Sequence, residues 1–288
     1  MWRLTDGKAG HENQSLALVE NLQQLASFRV VDIPVSACQG TRLGSDSNRP
    51  HLVVGAGHRT HLAILSAARR YDCPSVVIMK PTIPAAFFDL CLIPEHDLSG
   101  RPADNILPTR GMLNRIPAEQ PPKRDRGLIL IGGPSKHHGW NHETLIESIS
   151  SIVAGHSSLD WHLADSRRTP DHFLDHLSSL DLTVHSAADK PPDWLPAELL
   201  SAKEIWVTED SMSMIYEALT ARARVGLLPM PRKSKRSRVV RGVDQLAEEG
   251  CVRFYSSGTK PDLQEPPGIL HEASRCVREV LQRFPALA

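Results

Sequence analysis

The stretch Glu204–Ala221, EIWVTEDSMSMIYEALTA, decides how the fold is read. Its β-branched and aromatic opening, Ile205-Trp206-Val207-Thr208, reads as a buried strand. The run breaks at Glu209-Asp210-Ser211 and resumes with helical spacing through Met214, Tyr216 and Glu217. Ser211 is placed to cap that helix, whose first turn leaves free N–H groups and a positive dipole end facing outward. Such an end suits a phosphate or diphosphate. Glu217, two turns in, is then a candidate to accept hydrogen bonds from ribose hydroxyls. The plainer alternative is a capped strand-to-helix turn with an exposed Glu.

The same strand–loop–helix unit recurs on both sides. Trp2–Thr5 reads as a strand, followed by the glycine loop Asp6-Gly7-Lys8-Ala9-Gly10 and a helical pattern from Gln14 to Leu25, with Leu16, Val19, Leu22 and Leu25 on one face. Phe28–Ile33, Leu52–Val54, Ser75–Met79 and Phe88–Ile93 supply further strands, with a helix expected over about 60–70 after Gly55-Ala56-Gly57-His58. A polar, proline-rich stretch, Pro117–Arg126, is the linker candidate. Beyond it the theme restarts with Leu128–Ile131, a Gly132-Gly133-Pro134-Ser135 loop and a helix over about 142–153. Trp161–Leu163, Ile205–Thr208 and Val225–Leu228 are the remaining strands, and 267–283 reads as a closing amphipathic helix. Continuous apolar strands alternating with helices predict α/β architecture, with parallel sheets covered on both faces. The expected division is 1–120 and 121–288, the last helix packing back on the first domain, with the ligand in a cleft between two Rossmann-like halves at strand carboxyl ends.

Composition narrows the function classes. Formal net charge is zero over 288 residues, so no global field recruits nucleic acid, and the low aromatic content argues against base-stacking surfaces. Five cysteines, Cys38, Cys73, Cys91, Cys251 and Cys276, lack CxxC spacing, which points to a reduced cytoplasmic setting without a zinc module. No secretory leader and no run approaching the length of a membrane span is evident.

Six ordered motifs carry a family likeness: TDGKAGHENQSLAL from Thr5, GAGHRT at 55–60, FDLCLIPEHD at 88–97, LIGGPSK at 130–136, SRRTP at 166–170 and VTEDSMSMIYEA at 207–218. Together they resemble the mitochondrial-fission "elongated mitochondria" family, whose bacterial members are often labelled nucleoside-diphosphate-sugar epimerases. The resemblance implies a fold similar to GT-B glycosyltransferases, with a nucleotide-sugar donor held by the C-terminal domain. The epimerase label fits poorly for the short-chain class, since neither GxGxxG nor a Tyr-x-x-x-Lys pair is present around Tyr71, Tyr216 or Tyr255.

Individual residues follow from this. Gly132 and Gly133 let backbone approach a phosphate, and Ser135 and Lys136 continue that loop. His137 and His138 are poor metal candidates, because adjacent histidines without spaced partners rarely close a site. Arg167 and Arg168, after Ser166, suit phosphate oxygens, with one expected at the ligand and one on the surface; Thr169-Pro170 also looks like a helix start. Thr208, Ser211, Ser213 and Glu217 complete the donor set. Across the cleft, Gly7, Lys8, Gly10, Gln14, Gly57, His58 and Arg59 line the acceptor side. His11 is the candidate general base, with Asp6 as competitor. Glu95-His96-Asp97 reads as an acid/base cluster or, preferably, a solvated loop.

The basic run Arg232–Arg238 reads in three ways: a solvated loop, a clamp for diphosphate or an acidic acceptor, or a peripheral contact with anionic headgroups. The expectation is thus a metal-independent glycosyltransferase without a cofactor, its acceptor not specified by the sequence; analogy with related GT-B enzymes suggests an envelope glycan or lipid. The alternative is a non-catalytic binding or scaffold protein.

Overall fold

A computed structural model describes all residues except 39–48, 187, 188, 190, 192, 193, 235, 236, 259–261 and 288. The chain forms two compact units, one of Met1–Arg115 with His271–Ala288, the other of Ile116–Leu270.

The first unit contains β1 (Trp2–Thr5), α1 (Ala9–Leu25), β2 (Val31–Pro34), β3 (Val53–Ala56), α2 (His61–Tyr71), β4 (Ser75–Ile78), β5 (Leu90–Pro94) and β6 (Ile106–Thr109). Its six strands lie parallel in the order β2-β1-β3-β4-β5-β6. Alternate residues of each central strand enter different cores: Val54, Val76 and Leu92 join Leu18 and Leu22 of α1, while Val53, Val77 and Ile93 join Ile64 and Ala67 of α2. Both faces are therefore covered, which is why these strands read as unbroken apolar runs. The buried face of α1 is Ala17, Leu18, Val19 and Leu22; Leu25, expected on it, is exposed.

The second unit contains β7 (Arg126–Leu130), α3 (His142–Gly155), β8 (Asp160–Ala164), β9 (Thr183–His185), α4 (Trp194–Ser201), β10 (Glu204–Thr208), α5 (Met212–Thr220), β11 (Arg224–Leu228), α6 (Arg238–Glu248) and β12 (Arg253–Phe254). The sheet order is β12-β11-β10-β7-β8-β9, again all parallel. Two glycines in this sheet sit under indoles of the adjacent strand. Trp161 pairs with Gly127 and Trp206 with Gly226, and a Cβ at either glycine would collide with the six-membered ring. The last helix, α7 (Glu272–Arg283), belongs to the first unit, where Ser274 donates to Asn21 Oδ1 of α1 at 2.8 Å and Glu272 accepts from the Arg110 amide at 2.9 Å.

Several expectations need correction. The proline-rich stretch is anchored to the second unit rather than free: Gln120 donates to Thr220 O at 2.6 Å, and Lys123 Nζ donates to Leu199 O (3.2 Å), Leu200 O (3.0 Å) and Ala221 O (2.5 Å). That ammonium caps the C-terminal ends of α4 and α5 together. Burial, and then the charge of Arg222, lowers its pKa to about 8. Arg126 is already the first residue of β7. The closing helix starts at Glu272, not near Pro267, with His271 accepting from the Ser274 amide as its cap. No α-helix begins at Pro170, where the chain makes turns and a short 3-10 segment, Leu174–Leu177. The short β6, β9 and β12 and the helices α4 and α6 have no counterpart in the sequence reading.

Candidate functional site

In each sheet the strand order reverses once, and ligands of open α/β sheets bind where the loops part at that point. In the second unit the reversal lies between β7 and β10. There the loop after β7 (Gly132, Gly133), the loop after β8 (Ser166–Thr169) and the loop after β10 (Glu209–Ser211) interlock.

The Gly132 amide donates to Thr208 Oγ1 at 2.7 Å, and the Gly133 amide donates to Asp210 Oδ2 at 3.2 Å. Arg168 Nη1 donates to the same Asp210 oxygen at 2.6 Å and to Gly133 O at 3.0 Å. Ser166 and Thr169 hydroxyls donate to Gly132 O at 3.1 and 2.7 Å. A Cβ on Gly132 would strike the Asp210 carboxylate, and one on Gly133 would strike the Arg168 carbonyl.

Both glycines are thus required for close approach, but what approaches is the protein itself. This corrects the expected phosphate cradle: the two amides, Thr208, Ser166 and Arg168 are spent on one another, and Thr169 is a pin rather than a helix cap. The residue that organises them, Asp210, was not singled out. Its signal in the sequence is an acid directly after an apolar strand.

The neighbouring acid, Glu209, is also buried and committed. Its carboxylate accepts from the Met230 amide at 2.8 Å and from Arg232 at 2.7 Å, and Arg232 continues to Asp244 of α6 at 3.1 Å. Burial works to raise the Glu209 pKa, yet hydrogen bonds and the Arg232 charge prevail and lower it. Arg232 is therefore a tie across the second unit rather than a ligand clamp. Lys233 donates to Ser135 O at 2.8 Å, and Arg238 is the first residue of α6. Lys235 and Arg236 lie outside the described residues. Ser135 accepts from the His137 and His138 amides at 3.1 and 3.0 Å, closing its loop on itself.

Other expected groups are not consumed in this way. Lys136 and Arg167 are exposed and take part in no ion pair among the described residues. Ser211 is the N-cap of α5 but its hydroxyl makes no capping bond, whereas Ser213, exposed in the first turn, is already engaged in an interaction of its own. Glu217 is half-buried with no side-chain partner among the described residues, and burial pushes its pKa from 4.5 to about 7.

In the first unit the order reverses between β1 and β3, and the loops leaving those strands meet at His11 and Gly57. His11 Nδ1 lies 2.9 Å from Asp6 Oδ2, and Asp6 Oδ1 accepts from the Lys8 amide at 3.1 Å. The Asp6 carboxylate has no exposed side-chain surface. Burial favours its neutral form, but the bonds from His11 and the Lys8 amide and the two nearby charges outweigh that and lower its pKa. In the tautomer with its proton on Nδ1, His11 donates to Asp6 and Nε2 is the nitrogen left to act as a base. Asp6 and His11 are one unit, not competitors. The ring lies on Gly57, whose φ of 85° and lack of a Cβ both favour glycine, since a Cβ would overlap the imidazole. Gly7 (φ 78°) donates its amide to Glu12 at 3.0 Å.

Lys8, Gly10, His58 and Arg59 are exposed at this edge. Gln14 is not: it is buried, with Nε2 donating to Gly10 O at 3.3 Å. Glu95–Asp97 forms a 3-10 turn, with Lys80 donating to Asp97 O at 2.9 Å. Among the described residues no three His, Cys, Asp or Glu side chains are grouped to hold a metal ion, and no helix is long and apolar enough to cross a membrane.

The sequence profile of the family described as "Mitochondrial fission ELM1" matches residues 9–284. The chain belongs to the mitochondrial fission ELM1 family. A curated relative, "Uncharacterized protein RP120" of Rickettsia prowazekii (strain Madrid E), is 21% identical over 322 residues, covering 89% of this chain and 90% of the relative. Solved structures of similar fold include MurG of Acinetobacter baumannii, at 13% identity and a TM-score of 0.53, with 99% of this chain and 98% of that one covered. UDP-GlcNAc 2-epimerase of Neisseria meningitidis, bound to UDP-GlcNAc, is 15% identical with a TM-score of 0.56, covering 98% and 100%. The glycosyltransferase SnogD of Streptomyces nogalater is 16% identical with a TM-score of 0.52, covering 99% and 95%. This ELM1-family chain has the GT-B fold shared by those glycosyltransferases and epimerases. The motif argument against an epimerase accordingly reaches only the short-chain class, because epimerases also occur on this fold.

Proposed function

We propose that this protein is a glycosyltransferase that moves a sugar from a nucleoside diphosphate to an acceptor hydroxyl. The observation that carries the reading is the enclosed Asp6 carboxylate 2.9 Å from His11 Nδ1, which leaves Nε2 as the nitrogen placed to act as base. In this reaction the acceptor O–H gives its proton to His11 Nε2 and its oxygen bonds to the anomeric carbon. The bond from that carbon to the diphosphate breaks, and its electron pair leaves with the nucleoside diphosphate. The second unit holds the donor: Glu217 accepts from ribose hydroxyls, while the start of α5, Arg167 and Lys136 face the departing charge.

No metal or cofactor enters this scheme. The reaction belongs in the cytoplasm, with an acceptor in solution or at the membrane face. Fold likeness to a protein bound to UDP-GlcNAc supports the nucleotide-sugar class.

The test is a binding titration with UDP, GDP and ADP and their sugar conjugates, with and without EDTA. We expect one nucleotide diphosphate to bind irrespective of EDTA, with affinity lost in Glu217→Ala and retained in His11→Ala. Unchanged affinity in Glu217→Ala would refute the donor assignment. A second reading, a non-catalytic GT-B scaffold, is favoured by one observation: the Gly132 amide is closed on Thr208, and Gly133 and Arg168 on Asp210, rather than open to a phosphate. It predicts no response to any of these nucleotides.

A further inference from the structure

Two basic residues, Lys8 and Arg59, and the imidazole of His58 lie in the segments that meet at His11. Lys8 is the N-cap of α1 and exposed, and its side chain makes no capping bond. Gly57 carries the His11 ring, and the next two residues, His58 and Arg59, are exposed in the 3-10 turn that begins there. None of Lys8, His58 and Arg59 has an ion-pair partner among the described residues. The local acids face inward instead: Asp6 is turned to His11 and the Lys8 amide, and Glu12 to the Gly7 amide. The start of the 17-residue helix α1 adds its dipole to the same edge.

We infer that the group received at His11 belongs to an acceptor carrying a phosphate anion next to its reacting hydroxyl, bound by Lys8, His58 and Arg59. This rests on His11 being the acceptor base, and it names the acceptor's chemistry. Lys8 leads into the helix that carries His11, and Arg59 lies two residues after the glycine under its ring; for phosphate oxygens an arginine fork supplies direction and a lysine a point charge. The phosphate can belong to a soluble acceptor or to one carried in a membrane.

The experiment follows the imidazole resonances of the full-length protein, with those of His11 and His58 assigned through H11Q and H58Q, during titration with inorganic pyrophosphate. In parallel, co-sedimentation is measured with phosphatidylglycerol vesicles and with phosphatidylcholine vesicles. We expect pyrophosphate to move both resonances and K8A/R59A to bind it about tenfold or more weakly. Sedimentation with phosphatidylglycerol alone, lost in K8A/R59A, supports the inference and assigns the phosphate to a membrane-borne acceptor. Resonances that stay still with no vesicle binding, or responses unchanged in K8A/R59A, overturn it. That failure is separable from failure of the donor reading, which is judged by nucleotide affinity in Glu217→Ala.

Discussion

The carboxylate of Asp210 lies against the Cα of Gly132, and its Oδ2 accepts from both the Gly133 amide and the Arg168 guanidinium. One side chain thereby joins three loops that leave three different strands. Asp210→Ala removes the acceptor from a buried amide and from a guanidinium, a loss of about 2–4 kcal/mol. Urea unfolding measures it. An effect below about 1 kcal/mol would show that the loops hold without the clasp.

Gly57→Ala combines a strained φ with overlap on His11, so the imidazole must leave its position. We expect about 1–3 kcal/mol of destabilisation and loss of the Asp6–His11 bond, visible as a moved His11 resonance.

Glu217 gives a pH signature. Its carboxyl titrates near 4.5 when exposed and near 7 when folded. Between those values the folded state holds more protons, so stability falls as pH rises from about 4.5 to about 7, by up to about 3 kcal/mol. Glu217→Gln should remove that slope and raise the melting temperature above pH 7. If its profile parallels the parent's, the carboxyl is not strained by burial.

Asp6→Asn tests the proton's location. An amide at this position no longer enforces the Nδ1–H tautomer, so transfer should fall by about 10²-fold or more while nucleotide binding is unchanged. Equal activity in the two proteins would remove the dyad from the mechanism.

Much of the fold was legible because each central strand is buried on both faces: Val53–Ala56, Leu90–Pro94 and Glu204–Thr208 are apolar runs ending in glycine or acid loops. The missed elements carry weaker signals. The helix α6 starts at Arg238, at the end of a dense basic run whose charge hides the apolar stripe of Val240, Val243 and Leu246. The strands β9 and β12 are short edges. At the site, spacing pointed to the loops after β7, β8 and β10 but not to what fills them. That Gly133 bonds Asp210 and that Gln14 turns inward depend on contacts between distant segments, which periodicity does not encode. Asp6 and His11 were both named, yet their pairing becomes visible only once Gly57 closes over the ring.

The tryptophan–glycine pairs have a spectroscopic consequence. Of the five tryptophans, four (Trp140, Trp161, Trp194 and Trp206) lie in the second unit, and Trp2 alone reports on the first. Trp161 and Trp206 lie flat over glycines inside the sheet, so their emission shifts red only when its strands separate. Intrinsic tryptophan fluorescence therefore weights the melting of the second unit, whereas circular dichroism sums both. Any gap between the two transitions measures how independently the halves unfold.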